Sequence, residues 1–485
     1  VWKLISRIYD CIMKNQKSIM WFRYDLRVSD NEALTKAMEY NKCYPIYIVD
    51  TSQRELGGAS QVWLNHALKD LNESLSNSLS IFIGQPNQII SNLVKNHSIN
   101  SVYFDHTYDP AIEQSDQNVI QALNQLDCSV ITTNQRTLWD IRHLFKYDQE
   151  IYTVFSPFFR KGCLKDSEPA KPKQLNITKN IEKFSESNSI DNIIPIPNHQ
   201  WTKSITNHWP ISESGAQKVW KTFRENGLIG YKQKRNFPSK KNVSRLSPYI
   251  HFGQISIRQI YHETILHGQG KDRDHFISEL GWREFAYYLL YHRPNLSTKN
   301  FQKQFDHFPW EFTETNFKAW CYGNTGYPIV DAGMRELYQT GYMHNRLRMI
   351  CGSFLVKNLR YHWTHGEEWF WDCLFDADQA TNAASWQWVA GTGTDAATYF
   401  RIFNPTLQGK KFDPTGSYIR KYIPELADLP NEYLNEPWTA PKEVLKNSNV
   451  NLGSNYPNRI INFEKSRDES LEAFEKIKQF EGVRE

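Results

Sequence analysis

Short apolar runs alternate with longer stretches of helical periodicity over the first 135 residues of the chain. The runs are rich in β-branched and aromatic residues, and they predict strands at 18–22, 44–49, 80–83, 102–105 and 130–132. Between them apolar residues recur at helical spacing, which predicts helices at 31–39, 59–75, 86–95 and 111–126. Strand–helix alternation of this kind predicts a Rossmann-like parallel sheet with helices on both faces.

This periodicity then disappears and returns in a different form. Lys, Ser, Asn, Glu and Pro dominate from about residue 162 to 200, which is typical of a linker, and the pattern is helical from Trp209 to a final helix at 466–480. We predict five segments: an N-terminal extension (1–17), an α/β domain (18–135), an interdomain linker (136–205), an all-α domain (206–480) and a tail (481–485). Residues 1–12 lack a small-residue cleavage site, which favours an extension or an upstream start over a targeting peptide.

The composition narrows the class of protein. A length of 485 residues predicts two to four domains, and 40% hydrophobic with 23% charged residues is typical of a soluble globular protein. No apolar run reaches the length of a membrane span. The net charge of +4 neither requires nor excludes nucleic acid, because a local basic patch matters more than the total. Seven scattered cysteines without a C-x-x-C motif predict free thiols in a reducing cytosol and no metal site.

Two further features bear on cofactors. No G-x-G-x-x-G motif follows the first predicted strand, so a dinucleotide is not expected at that position. Sixteen tryptophans are present, and eight of them fall between Trp282 and Trp388. Most are expected to belong to an aromatic core, while some are candidates for stacking on a cofactor or a nucleobase.

The densest motif lies at 376–405 and reads DADQATNAASWQWVAGTGTDAATYFRIFNP. Four others accompany it in order: GWREF (281–285), NTGYPIVDA (324–332), MHNRLRM (343–349) and GKKFDP (409–414). Together these motifs resemble the flavin-binding core of the DNA photolyase and cryptochrome family, and most closely its class I-like cyclobutane pyrimidine dimer photolyases. The resemblance implies an N-terminal antenna-type domain followed by a helical domain that holds FAD.

The resemblance also implies which residues bind FAD: Tyr231, Ser244, Arg245, Leu246, Ser247, Arg348, Asp376, Asp378 and Asn382. Hydroxyl and backbone N–H donors suit a pyrophosphate, although the family's usual Thr before this Ser is Val243 here. The family places Asn382 next to flavin N5, where an amide can donate or accept. Plant-type cryptochromes carry Asp there and animal-type cryptochromes Cys, so Asn favours a repair enzyme with fully reduced FADH⁻.

A lesion pocket is implied by Glu279, Trp282, Asn345, Met349 and Trp388. The resemblance assigns catalytic roles to Glu279, Asn345, Met349 and Asn382: Glu279 would share a proton with a pyrimidine carbonyl, and Asn345 would bind a base edge. The two tryptophans offer flat faces to linked pyrimidines, and Met349 fills an irregular apolar gap. Each residue taken alone favours ordinary packing, whereas their joint match favours the pocket.

Contacts to DNA phosphates are implied at Arg235, Arg346 and Arg401, in a region that four lysines make basic. A tryptophan relay from flavin to surface is implied at Trp386, Trp363 and Trp310, which would let light restore reduced flavin. A solvated charged face and an aromatic core are the alternatives for these two groups.

Two details concern substrate and antenna. The (6-4) photolyases carry a His-His pair where this chain has Met343-His344, which favours cyclobutane dimers. The family uses folate or deazaflavin as an antenna, but Asp109 stands where Glu is expected in folate-binding members and Ser297-Thr298 replace Cys-Lys. The antenna is therefore left undecided.

The sequence thus predicts light-driven repair of cyclobutane pyrimidine dimers by electron transfer from photoexcited FADH⁻. UV-damaged DNA is the expected partner, with no membrane and no protein partner, for a monomer in a bacterial-type cytoplasm. A cryptochrome-type blue-light receptor and a (6-4) photolyase are the alternatives.

Overall fold

The predicted strands form one parallel sheet in the computed structural model, which describes residues 16–173, 180–399 and 401–480. The strands are β1 (Lys17–Phe22), β2 (Lys42–Asp50), β3 (Ser80–Gly84), β4 (Ser101–Asp105) and β5 (Ser129–Thr133). Each end lies within two residues of its prediction. The order β3-β2-β1-β4-β5 is that of a doubly wound sheet, and it confirms the predicted α/β class.

Four helices connect these strands: α1 (Glu32–Ala37), α2 (Gly58–Ser74), α3 (Pro86–His97) and α4 (Pro110–Asn124). Their starts follow from local capping. The side chain of Asn31 accepts from the Leu34 N–H, and that of Asp109 accepts from the Ala111 N–H. Pro86 and Pro110 occupy first-turn positions, where the missing N–H costs nothing.

The range 136–205, which we interpreted as an interdomain linker, contains a buried part. Trp139 and Phe158 are buried against Tyr261 and Phe285, so the chain enters the helical half before it returns to the sheet. On its return, the backbone bridges Cys43 to Ile181 and Ile81 to Asn188. Apolar residues here lack a helical or strand period, which is why the pattern resembled a linker. The domain boundaries stay a prediction.

The C-terminal half is helical, as predicted, and no named strand lies in its described part. Its helices and those of the connecting range are α5 (Phe155–Pro157), α6 (Ile190–Ile193), α7 (Gln200–Thr206), α8 (Glu213–Asn226), α9 (Tyr231–Lys234), α10 (Ser247–His251), α11 (Ile257–His267), α12 (Gly270–His292), α13 (Glu314–Cys321), α14 (Pro328–Thr340), α15 (Asn345–Ser353), α16 (Trp363–Cys373), α17 (Gln379–Ala390), α18 (Pro405–Phe412), α19 (Ser417–Tyr422), α20 (Lys442–Asn447) and α21 (Phe463–Ile477).

A single apolar cluster joins the two halves. It contains Trp63 of α2, Phe158 of the connecting range and Phe285 of α12. The Trp63 indole N–H also donates to Gln254 Oε1 over 2.8 Å. A second cluster lies within the helical half around Trp320, Trp363 and Trp386. Across the residues that the structure describes, six cysteines are free thiols and no group of side chains has the composition of a metal site. None of the described helices is both long and apolar enough to cross a membrane.

Candidate flavin and lesion site

Four of the predicted flavin residues lie around the start of α17: Arg348, Asp376, Asp378 and Asn382. Asp378 is the N-cap of this helix and accepts from the Thr381 N–H over 2.9 Å, which sets the helix start. Asn382 follows one turn later on the same side. Asp376 precedes the cap and pairs with Arg348 of α15. The D-A-D-Q-A-T-N spacing therefore places three polar side chains at one helix end.

Arg348 and Asp376 form a two-oxygen ion pair. Arg348 Nη2 donates to the carboxylate oxygens over 2.8 and 3.0 Å, and Arg348 Nε donates to the Met343 carbonyl over 2.8 Å. Burial alone would lower the pKa of the guanidinium, but the adjacent carboxylate raises it above its usual value. The ion pair thus holds Arg348 and Asp376 in fixed positions at the candidate flavin site.

Asp378 is held by residues that the sequence did not single out. Arg136 Nη2 donates to Oδ2 over 3.0 Å, the Tyr287 hydroxyl donates to the same oxygen, and His251 Nδ1 lies 3.5 Å from it. Burial alone would raise the pKa of Asp378, but His251 and Arg136 hold it well below its usual range. These partners come from distant parts of the chain, and no periodicity or motif marks them.

Asn382 is 8% exposed and uses both amide hydrogens on one neighbour. Its Nδ2 donates to Glu367 Oε1 over 2.9 Å and to the Glu367 carbonyl over 3.1 Å. Glu367 is itself paired with Arg54 from the loop after β2. The NH₂ end of the Asn382 amide is therefore bound to Glu367, which leaves its carbonyl oxygen for other partners. Neither Glu367 nor Arg54 was predicted.

The predicted phosphate-binding segment supplies donors. Arg245 has a left-handed backbone (φ 53°), its guanidinium lies 4.3 Å from the Trp209 ring, and its buried Nε has no partner among the described residues. Ser244 Oγ accepts from the Leu246 N–H over 3.4 Å, Leu246 is buried, and Ser247 is exposed at the start of α10. Tyr231 is buried at the start of α9. An unpaired guanidinium nitrogen and an open hydroxyl are a donor set that fits a pyrophosphate.

The acid and the indole of the predicted lesion pocket share α12. Arg235 Nη2 donates to Glu279 Oε2 over 2.8 Å, and the second oxygen accepts from Nη1, so the pair is bidentate. Trp282 is half-buried and stacks on Phe155 with ring centroids 3.8 Å apart. His275 Nε2 lies 3.7 Å from Glu279. Neither Phe155 nor His275 was predicted.

The other lesion residues lie on α15 and α17. Asn345 is exposed at the first position of α15, Met349 is half-buried one turn later, and Trp388 is half-buried on α17. Arg235 pairs with Glu279 of α12. Its positive charge also adds to burial in lowering the pKa of Arg346 on α15.

Met343 and His344 are both buried, at 0% and 3% exposure. His344 is the N-cap of α15 and its Nδ1 accepts from the Arg346 N–H over 3.1 Å. Burial lowers the pKa of His344 to about 3, so the ring is neutral at physiological pH.

The predicted phosphate contacts differ in burial. Arg346 Nη2 donates to Asn236 over 2.6 Å and its guanidinium lies 4.5 Å from the Phe412 ring. Burial and the like charges of Arg235 and Arg401 lower the pKa of Arg346 below its usual value. Arg401 is exposed. The like charges of Arg235 and Arg401 act on Arg346 from two sides, so an anionic partner at Arg346 would be favoured.

A groove of about 670 Å³ begins beside Phe155. Its rim carries Arg160, Lys232, Lys271 and Arg273, and Asp274 pairs with the last of these. No candidate flavin ligand lines it.

The predicted relay tryptophans run from the core to a half-buried position. Trp386 is 3% exposed and its ring packs directly against Gly366. A Cβ at position 366 would lie only 2.1 Å from the ring, so a larger residue there would displace the indole. Trp363 is fully buried and donates to Asn300 Oδ1 over 2.8 Å. His362 lies between the last two indoles, with its centroid 5.5 Å from Trp363 and 5.1 Å from Trp310.

Two family profiles match the chain. One, described as DNA photolyase, covers residues 18–175, and the other, described as the FAD binding domain of DNA photolyase, covers residues 276–476. Together they span most of the sequence.

Relatives match over nearly the whole chain. A deoxyribodipyrimidine photo-lyase of Agrobacterium fabrum is 40% identical over 96% of this chain and 99% of its own. Cryptochrome-2 of Arabidopsis thaliana is 34% identical over 96% of this chain and 80% of its own. The crystal structure of a class III photolyase from Agrobacterium tumefaciens superposes with a TM-score of 0.91 at 40% identity, covering 96% of this chain and 98% of that one. This chain belongs to the DNA photolyase and cryptochrome family.

Proposed function

We propose that the protein repairs cyclobutane pyrimidine dimers in UV-damaged DNA by light-driven electron transfer. The family and its photolyase members support DNA repair. The observation that most supports the proposal is the position of Arg235, which holds Glu279 of α12 and lies close enough to α15 for its charge to act on Arg346. The acid Glu279, the stacking indole of Trp282 and the arginines proposed to bind phosphate thereby lie around one positively charged surface.

Reduced FAD, when bound, supplies the electron that light transfers to the dimer. Arg348, Asp376, Asp378 and Asn382 are the residues we assign to its ring system. Asp378 stays ionised at every physiological pH because His251 and Arg136 depress its pKa, so it accepts a hydrogen bond throughout. The segment Ser244–Ser247 and Tyr231 are assigned to the pyrophosphate side.

The substrate contacts follow from the pocket residues. Trp282 and Trp388 provide faces for a flipped-out dimer, and Asn345 is open to accept a base edge. Glu279 is assigned to a pyrimidine carbonyl, which requires one of its oxygens to exchange a hydrogen bond from Arg235 for the substrate. Met349 is assigned to the apolar gap. The buried, neutral His344 beside Met343 supports cyclobutane dimers over (6-4) products, because no pair of histidines is available there for proton transfer.

The relay Trp386–Trp363–Trp310 is proposed to restore reduced flavin. A second chromophore, folate or deazaflavin, is proposed as the antenna; Asp109, the residue at the family's folate position, caps α4. Extraction of the purified protein and fluorescence of the released chromophore identify it. We also propose a monomer that acts on DNA in the cytoplasm, which light scattering with and without a dimer-containing duplex tests.

The decisive experiment is light-dependent repair by purified, chemically reduced protein. One oligonucleotide carries a single thymine dimer and a matched one carries a (6-4) product. Repair of the thymine-dimer strand alone supports the proposal. Repair of the (6-4) strand would mean that the substrate is the (6-4) product and not the cyclobutane dimer. Repair of neither, with flavin still photoreducible, favours a cryptochrome-type receptor, which the 34% identity to Cryptochrome-2 makes the second candidate.

A further inference from the structure

An arginine of the loop after β2 reaches into the wall of the candidate flavin site. Arg54 Nη1 and Nη2 donate to the two carboxylate oxygens of Glu367 over 2.9 and 3.0 Å. The guanidinium also lies 4.0 Å from the centroid of the Trp371 ring. The Glu367 side chain is 4% exposed, so a cation from the other half of the chain balances a buried carboxylate.

Glu367 passes this constraint to Asn382. Both Asn382 amide hydrogens are taken by Glu367, one by Oε1 and one by the backbone carbonyl. An amide whose NH₂ is fully engaged presents its carbonyl oxygen to whatever lies on its other side. The orientation of Asn382 therefore depends on Glu367 remaining a carboxylate at this place.

We infer that Arg54 is a positioning residue of the flavin site, which acts through Glu367 to keep the Asn382 oxygen directed at flavin N5. The inference rests on the proposed placement of Asn382 beside that atom. Reduced flavin carries a proton on N5 and oxidised flavin does not, so an acceptor at this point favours the reduced form. Arg54 lies outside residues 276–476, the range matched by the FAD-binding profile, and so links the sheet domain to flavin redox balance.

Removal of the guanidinium would leave the Glu367 carboxylate buried without a cation. The side chain would then turn toward solvent, and its bonds with Asn382 would weaken. The amide could rotate and present its NH₂ to N5, which suits oxidised flavin. Lysine supplies a cation but cannot reproduce a bidentate contact, so Arg54→Lys should retain the wild-type orientation of Asn382 only in part.

The test is potentiometric titration of bound FAD in Arg54→Ala, Arg54→Lys and Glu367→Gln. We expect Arg54→Ala to move the oxidised–reduced equilibrium about tenfold toward the oxidised form, which is about 30 mV for two electrons. Glu367→Gln should shift it in the same direction, since a neutral amide gives Arg54 no anion to hold. This second variant keeps the inference testable if Arg54→Ala folds poorly.

The matched control is Asp372→Ala. Asp372 accepts from the Gly58 N–H over 2.8 Å, so it joins the start of α2, directly after that loop, to the same helix as Glu367. An unchanged potential in this control, with a shift in the Arg54 variants, supports the inference. A wild-type potential in Arg54→Ala and Glu367→Gln, or an equal shift in Asp372→Ala, overturns it. Dimer repair by the same samples is scored separately, so that a failed repair proposal remains distinguishable from a failed Arg54 inference.

Discussion

The ring of Phe155 stacks on the indole of Trp282 with an interplanar angle of 11° and centroids 3.8 Å apart. Phe155 comes from the connecting range and Trp282 from α12, so one face of the indole is already covered by protein. The stack fixes the ring plane, and we propose the opposite side of the half-buried indole as the surface on which a base rests.

Trp282→Ala should therefore weaken binding to dimer-containing DNA by about 5- to 150-fold, the range that corresponds to a stacking energy of about 1–3 kcal/mol per base. Phe155→Leu should cause a smaller loss, because the indole remains but is less firmly held. The measurement is fluorescence anisotropy with damaged and undamaged duplexes. Trp438→Ala serves as control, since Trp438 packs against Tyr327 and Arg459 in another part of the molecule. Equal losses in this control would contradict the assignment.

Arg346→Gln and Arg401→Gln should each reduce the salt dependence of DNA binding. Each arginine that neutralises a phosphate contributes about 0.9 to the slope of log affinity against log salt for a duplex. We expect a decrease of about that size per variant, equal for damaged and undamaged DNA. Arg467→Gln is the control, because Arg467 is exposed on α21 and lies 3.7 Å from Asp468. An unchanged slope in both arginine variants would remove them from the interface.

Trp363→Phe should abolish photoreduction of oxidised flavin and leave repair by chemically reduced protein intact. The indole is buried, and His362 separates it from the half-buried Trp310. Trp320→Phe is the matched control, because its ring centroid lies 6.2 Å from Trp386 but it is not in the proposed relay. Absorption changes under blue light measure the first activity. Loss of both activities in Trp363→Phe would indicate a structural role.

Lys357 should make stability depend on pH. It is 1% exposed, its Nζ lies 5.4 Å from the Tyr399 ring, and no ion pair forms with another described residue. Burial, with a contribution from Arg401, lowers its pKa from 10.5 to about 7. Between these values the unfolded chain binds more protons than the folded one, so the free energy of unfolding rises with pH.

Lys357→Met should remove that rise and stabilise the protein most below pH 7. The expected gain there is about 5 kcal/mol, from the free energy that corresponds to the lowered pKa. Urea unfolding at pH 6 and pH 9 measures it, with Lys476→Met on the exposed face of α21 as control. A variant whose stability keeps the wild-type pH dependence would contradict this account.

The sequence predicted the sheet well because each strand is a short apolar run between clear breaks. It was less accurate at helix ends: the helix predicted at 31–39 ends at Ala37, since a short helix is terminated by local turns rather than by its apolar pattern. The flavin candidates were found because several lie within one motif. Arg136, His251 and Tyr287 are isolated polar residues whose role arises only from tertiary contacts with Asp378.

Glu284 illustrates the same limit inside a recognised motif. It stands within GWREF, yet nothing in that pattern indicates that it is fully buried and accepts from the Leu138 N–H over 2.9 Å. Burial raises its pKa to about 7. A carboxylate that anchors a distant backbone segment cannot be inferred from spacing along one helix.

The route of the chain has a consequence for how the molecule folds and evolves. Trp139 and Phe158 contact Tyr261 and Phe285 of the helical half. Further along the chain, Phe184 stacks on Tyr44 of β2, and Asn65 of α2 donates to the Ile194 carbonyl. The halves are therefore interleaved, and neither can be excised as one continuous piece without exposing apolar surface. We expect cooperative unfolding in one transition. Exchange of one half with that of a relative would succeed only if residues 136–205 were recombined along with it.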